Sequence, residues 1–226
     1  RGIDIEDVTD VISVDLPSDL AYYHHRAGRT GRFGKTGDSW VFYNADTTRR
    51  PKLLMDEVGK TTDDRKVVKV ANEYAAYKRS LDEEKYQNLV AMAIELNDGR
   101  IVTGRSSRRM VAGAALILNA IKALCGIPDE VALISPDVLE TLQKLKTDVL
   151  HKEKSTLTLE EILSALSISA SINPTAKLAV SKLPCLCRCQ AHCTAILSDQ
   201  DSQIFHDLGI DATCEPEFSS NNLYLG

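Results

Sequence analysis

Near its start the chain is rich in β-branched apolar side chains from Val11 to Asp15, which predicts a strand that Pro17 breaks. Ser18 is placed to cap a helix, because its hydroxyl accepts from first-turn amides. That helix carries Leu20, Tyr23, His24 and His25 and stops at Gly28. Gly31, Gly34 and Gly37 keep the next stretch as loop, and "SWVFY" at residues 39–43 returns as a strand. Residues 44–80 are charged and mostly helical in character.

A second series of elements follows. "RIVTG" at residues 100–104 reads as a short strand ended by a glycine. Ser106 or Ser107 then caps a helix whose apolar positions, Met110, Ala114, Ile117, Leu118, Ile121 and Leu124, follow helical spacing to a stop at Gly126 and Pro128. "VALIS" at 131–135 reads as a buried strand, and Ser135-Pro136 as a cap with proline at the first helical position. Thr158 and Glu161 form a capping box, Asn173-Pro174 opens another helix, and Ser198 starts one that ends at Gly209. Strands alternating with helices predict α/β layers. The punctuation divides the chain into residues 1–44, a mostly helical junction at 45–84, and an α/β domain at 85–226.

Composition narrows the possibilities. A net charge of −5 excludes a protein that coats nucleic acid over its whole surface, so such contact must come from a local basic patch. No apolar run approaches the roughly 18 residues of a membrane span. Cysteines crowd at 185, 187, 189 and 193, which is no evenly spread disulfide framework and points to the cytoplasm.

The local basic patch lies at residues 22–37, where Arg26, Arg29, Arg32 and Lys35 alternate with glycines. Glycines let backbone and guanidinium approach a phosphate closely, and a planar, permanently charged group suits the charge that develops in phosphoryl transfer. A solvated basic turn is the alternative, and the more natural one for Lys35. "RGID" at residues 1–4 and "HRAGRTGR" at 25–32 resemble motifs V and VI of the DEAD-box RNA helicases, with "VISVDLP" and "GKTG" in matching order. The resemblance implies a partial RecA-like (P-loop NTPase type) fragment. It implies that Arg29 and Arg32 reach the γ-phosphate of ATP, that Asp4 lies near the ribose, and that Gly2 lies by the ATP and RNA sites. His25 and Arg26 would couple the two. No G-x-x-x-x-G-K-[ST] loop or Asp-Glu-Ala-Asp run occurs, so ATP and Mg²⁺ would require a first RecA-like domain that this sequence lacks. The fragment is then inactive alone, with RNA as the partner of an intact parent.

From about residue 50 the pattern changes. "DGRIVTGRSSRRMVAGAALILNAIKAL", "TLEEILSALSISASINPTAKLAVSKLP" and "LGIDATCEP" resemble the C-terminal part of a bacterial family, domain of unknown function eighteen-forty-six. That resemblance implies a mixed α/β fold and no reaction. The switch between residues 44 and 52 suggests two fragments joined.

Two constellations in this part bear on function. In "TGRSSRRM" a strand meets a helix N-terminus, and Ser106, Ser107 and Arg108 (with Arg105 and Arg109 beside them) would make an anion site. The competing account is a capped helix with solvated arginines. In "CLCRCQAHC" the cysteines at 185, 187 and 189 would line one face of a strand. The spacing is poor for zinc, and buried or incidental thiols are the better account. The functional expectation is therefore a helicase fragment joined to an uncharacterised bacterial domain. The alternative is an anion- or nucleotide-binding domain, or an oligomerising one built as a homo-oligomer.

Overall fold

The computed structural model describes residues 8–13, 23, 26, 37–41, 55–57, 59–61 and 64–215. The chain divides into two compact units, Arg1–Thr62 and Asp63–Gly226.

In the first unit, β1 (Asp10–Ser13) pairs in parallel with β2 (Asp38–Val41), Asp10 opposite Asp38 and Ser13 opposite Val41. Parallel pairing requires a crossover between the strands, as the sequence anticipates. Trp40 Nε1 donates to Asp10 Oδ1 at 3.0 Å, and Tyr23, in a helical segment, donates to Ser39 Oγ at 3.4 Å. Gly2, Asp4, His25, Arg29 and Arg32 lie outside the described residues, and Arg26 is helical and exposed.

The second unit is built on a four-stranded mixed sheet in the order β4-β3-β5-β6. Helix α1 (Lys66–Leu81) and the single turn α2 (Glu83–Tyr86) come first, followed by β3 (Ala91–Glu95) and β4 (Ile101–Arg105). After them come α3 (Ala112–Cys125), α4 (Pro136–Lys144), α5 (Leu159–Ser169) and α6 (Pro174–Val180). The unit closes with β5 (Gln190–Cys193), α7 (Asp199–Asp207) and β6 (Asp211–Cys214). β3 runs antiparallel to both β4 and β5, and β6 lies parallel to β5. Among the described residues no helix is long and apolar enough to cross a membrane.

Strand periodicity divides the side chains between two faces. Met92, Ile94, Ala191 and Cys193 point into the main core, with Leu116, Ile117, Ala120 and Ile121 of α3, Ile162 and Leu166 of α5, and Phe205 of α7. The other face carries Ala93, against which α1 lays Val67 and Ala71. These are small side chains, so α1 lies close to the sheet. The helix assigned from sequence to a junction thus packs onto the sheet in the same compact unit.

The local stop and start signals act as expected. Ser135, Asn173 and Ser198 accept from first-turn amides of α4, α6 and α7. Thr158 and Glu161 complete their capping box. Gly126 ends α3 in the left-handed region at φ +63°, where L side chains are strained. Other expectations fail. Residues 131–135 form no strand: Leu133 and Ile134 are buried, but Val131 is exposed and no neighbour among the described residues pairs with them. Cys185 and Cys187 line no strand either. Pro184 sits in a 3₁₀ turn, Leu183–Leu186, and the strand begins only at Gln190. Cys185 and Cys187 are exposed, whereas Cys189 is buried.

Candidate functional site

Ser106 and Ser107 cap no helix. α3 begins six residues beyond Ser106, at Ala112, and its N-cap residue is Val111, which offers no side-chain hydrogen bond. Ser106 instead ties the end of β4 to the residue preceding β3. Its N–H donates to Val90 O at 2.8 Å, and its Oγ accepts from Val90 N at 3.0 Å. Ser107 closes its own turn, accepting from Arg109 N and Met110 N at 3.2 Å each. Arg108 is exposed, and its carbonyl accepts from Gln143 Nε2 at 2.8 Å. The two hydroxyls are thus engaged within the chain. What Ser106 does is fix its neighbour, Arg105.

Arg105 leads to the site. α1 ends at Asp82, whose extended backbone (φ −164°) breaks the helix. The Asp82 carboxylate then accepts from Lys85 N at 3.0 Å and starts α2 at once. This sharp turn brings Tyr86 beneath Arg105, with the guanidinium carbon 5.4 Å from the ring centroid. Lys85 Nζ lies 5.3 Å from the same centroid, and Lys78 Nζ lies 5.5 Å from both the Tyr74 and Tyr77 centroids. Arg79 Nη2 donates to Leu89 O at 3.3 Å, which anchors the end of α1 to the segment entering β3. A cavity of about 410 Å³ opens here, lined by Arg79, Ser80, Glu83 and Gln87.

Two cation–ring groups result: Arg105 and Lys85 over Tyr86, and Lys78 over Tyr74 and Tyr77 on α1. Cations over ring faces are attracted by the ring quadrupole, and a guanidinium plane extends a stack. Such an arrangement is chemically able to hold a flat, anionic molecule. Of the residues read from sequence as an anion site, Arg105 lies over Tyr86 and donates to Ser106 O at 3.4 Å. Arg79, Lys85 and Tyr86 were not foreseen. Their sequence signal is Tyr74 and Lys78, four residues apart on a helix.

A second polar cluster lies on the α1 face of the sheet. His192, buried on β5, stands between Ala93 of β3 and Thr213 of β6. Its Nδ1 lies 2.9 Å from Thr213 Oγ1, and its Nε2 lies 3.2 Å from Glu215 Oε1. Arg65 Nη1 donates to Thr213 Oγ1 at 3.1 Å, while its Nη2 donates to Asp211 O and Oδ2 at 3.1 and 3.2 Å. Asn72 Nδ2 donates to Glu215 Oε1 at 3.3 Å. Burial pushes the His192 pKa below the usual histidine range; Glu215 opposes this and Arg65 adds to it. Among the described residues, no three or more His, Cys, Asp or Glu side chains gather as a metal site would need.

Comparison with known proteins bears on both units. The model of the domain of unknown function DUF1846, C-terminal, matches residues 63–224, and that of the helicase conserved C-terminal domain matches residues 1–34. A UPF0371 protein of Clostridium botulinum (strain Langeland) is 48% identical over 183 residues, covering 81% of this chain and 36% of the relative. A UPF0371 protein of Clostridium tetani is 47% identical over 197 residues, covering 85% of this chain and 39% of that relative. The chain thus spans little more than a third of these relatives.

Proposed function

The chain belongs to the DUF1846 family, and from that premise we propose that its second unit is a binding module that takes a nucleotide at the Tyr86–Arg105 corner. The observation that carries this reading is the placement of Arg105 and Lys85 on the Tyr86 ring, beside a cavity lined by Arg79. The cavity of about 410 Å³ is lined by Arg79, Ser80, Glu83 and Gln87, not by Tyr86 or Arg105. In this reading the base stacks against Tyr86 and the Arg105 plane. Arg79 and Arg105 meet the phosphates, and Glu83 accepts from an exocyclic amino group of the base.

The test is calorimetric titration of the whole chain with AMP, ATP, GTP and inorganic phosphate. Nucleotides should bind more tightly than phosphate, and binding should weaken with salt because the attraction is partly Coulombic. Arg105→Ala and Tyr86→Ala should each weaken it about 10-fold or more, corresponding to about 1.4 kcal/mol, while Tyr86→Phe should retain it. No heat and no melting shift at 10 mM (roughly a hundred times the Kd that would add about 2.7 kcal/mol of stability) overturns the reading.

The helicase match favours a second reading, confined to residues 1–34. There Arg29 and Arg32 stabilise the γ-phosphate of ATP, with Mg²⁺, on a first RecA-like domain outside this sequence, and RNA is the nucleic acid unwound. In a complete helicase carrying this segment, Arg29→Ala or Arg32→Ala should lower kcat about 10³-fold or more, with RNA affinity nearly kept. Unchanged turnover in both variants refutes it.

A further inference from the structure

The polar cluster around His192 shares no residue with the tyrosine corner. Both ring nitrogens of His192 are engaged, and with the ring neutral, as its burial favours, their partners set the tautomer. A carboxylate only accepts, so Nε2 carries the hydrogen and donates it to Glu215 Oε1. Nδ1 then holds a lone pair and accepts from the Thr213 hydroxyl at 2.9 Å, while the other acceptor for that hydroxyl, Ala191 O, is farther away at 3.4 Å. This is the polarity of a base poised to remove a hydroxyl proton.

Each participant is held by a second partner. Asn72 fixes Glu215, and Asp211 fixes the guanidinium of Arg65. Arg65 Nη1 points at Thr213 Oγ1, where it would meet the negative charge of an alkoxide. The remaining charged pair on this face, Lys66 with Glu95 at 2.8 Å, is closed on itself. Thr213 is exposed on β6, which pairs only with β5 among the described residues, so an electrophile has access to it.

The geometry points to Thr213 as a nucleophile, with His192 as its general base and Glu215 as the positioning residue, accepting acyl groups from activated esters. Thr213 Oγ1 forms a bond to the ester carbonyl carbon as its proton passes to His192 Nδ1. The bond from that carbon to the leaving oxygen then breaks, and the leaving oxygen departs with its electron pair. Where that oxygen is basic enough, it takes the proton from Nδ1, and otherwise the proton passes to water. The ring ends neutral, and nothing is oxidised or reduced.

The test is incubation of the 226-residue protein with p-nitrophenyl acetate, following p-nitrophenol release and locating acetyl groups by peptide mass mapping. Acetyl should appear on Thr213 with a burst of one equivalent per chain. Thr213→Val, which keeps the β-branched shape, should abolish that adduct. His192→Gln should slow it by about 10²-fold or more, the usual worth of a general base. The rate should rise with pH and level off as His192 loses its proton. Because Glu215 favours the protonated ring, Glu215→Gln should move that midpoint to lower pH, a change that loss of packing alone would not produce. Exposed Cys185, Cys187 and Cys214 can acetylate in every variant, so the readout is acetyl placed on Thr213 rather than Cys214 by fragmentation of the peptide that holds both. An unmodified Thr213 in the parent protein, or equal modification in His192→Gln, overturns the assignment.

Discussion

Replacing Gly104 with alanine should be among the most damaging single-methyl additions to this fold. Gly104 is buried on β4 opposite Met92, and α3 crosses directly over it. A Cβ there would sit 2.6 Å from Leu116 Cα and 2.9 Å from Leu116 Cβ, and closer still to the Leu116 backbone nitrogen. That is roughly 0.8 Å inside ordinary van der Waals contact, against backbone that cannot rotate away. Relief requires lifting α3 off the sheet, which loosens the packing of Leu116, Ile117 and Ala120 beneath it. Overpacking costs about 1–3 kcal/mol when side chains can adapt, so about 3 kcal/mol is expected here. At about 2–4 °C per kcal/mol for a chain of this size, Tm should fall by roughly 6–12 °C. Gly113→Ala is the matched control. Its added methyl would meet the edge of the Phe205 ring at 3.1 Å. A ring can shift, and alanine is the better helix former, so this change should stay within about 1 kcal/mol of neutral. Thermal melts and urea titrations of the two variants beside the parent decide the matter. A Gly104→Ala protein melting within about 1 °C of the parent, or Gly113→Ala proving the worse, would show that α3 does not rest on β4 in this way.

Three other expectations concern capping and titration. Thr158→Ala should cost about 1 kcal/mol by removing the cap of α5, measured by urea unfolding. Burial works against the Glu161 carboxylate, but Lys146 and the Thr158 N–H outweigh it and hold its pKa below the usual range. Its contribution is therefore present above the unfolded glutamate value and lost as pH falls through the folded one. Glu161→Gln should flatten that acid limb, and an unchanged limb refutes the assignment. His192 gives the same sign for a different reason, because here burial disfavours the charged form. Its folded pKa is depressed, so the unfolded chain binds the proton more readily and stability falls as pH drops below the unfolded value of about 6.5. Urea unfolding at pH 7.5 and 5.5 should show this loss and show it reduced in His192→Gln; equal loss in both proteins refutes it.

What was legible in the sequence is what a few neighbouring residues decide. The caps at Ser135, Thr158, Asn173 and Ser198 and the stop at Gly126 depend on side chains within one turn, and all take the form expected of them. Residues 131–135 have strand composition, but a strand requires a partner, and none arrives. The central strand β3 escaped notice because two of its five residues are alanines, and alanine carries little strand preference. Those alanines are what admit α1, so the helix was legible while its seat was not. Both sites failed to register for the same reason. Tyr86 and Arg105 come from different elements, and His192 meets Thr213 and Glu215 only because a helix returns the chain to the neighbouring strand.

The pairing of β3 with β5 imposes an order on synthesis. The middle strand finds its first partner nearby, through the tight turn at Gly99, and α3 can then cover one face of the hairpin. Its second partner arrives about a hundred residues later, as the bond from Ala91 N to Thr194 Oγ1 records. At ribosomal rates of about 5–20 residues per second, the growing chain spends roughly 5–20 seconds with one edge of Ala91–Glu95 unpaired. An open edge of this kind is where nascent chains adhere to one another. Ribosomes stalled before Gln190 would therefore carry a half-sheet with its apolar centre strand exposed as an edge.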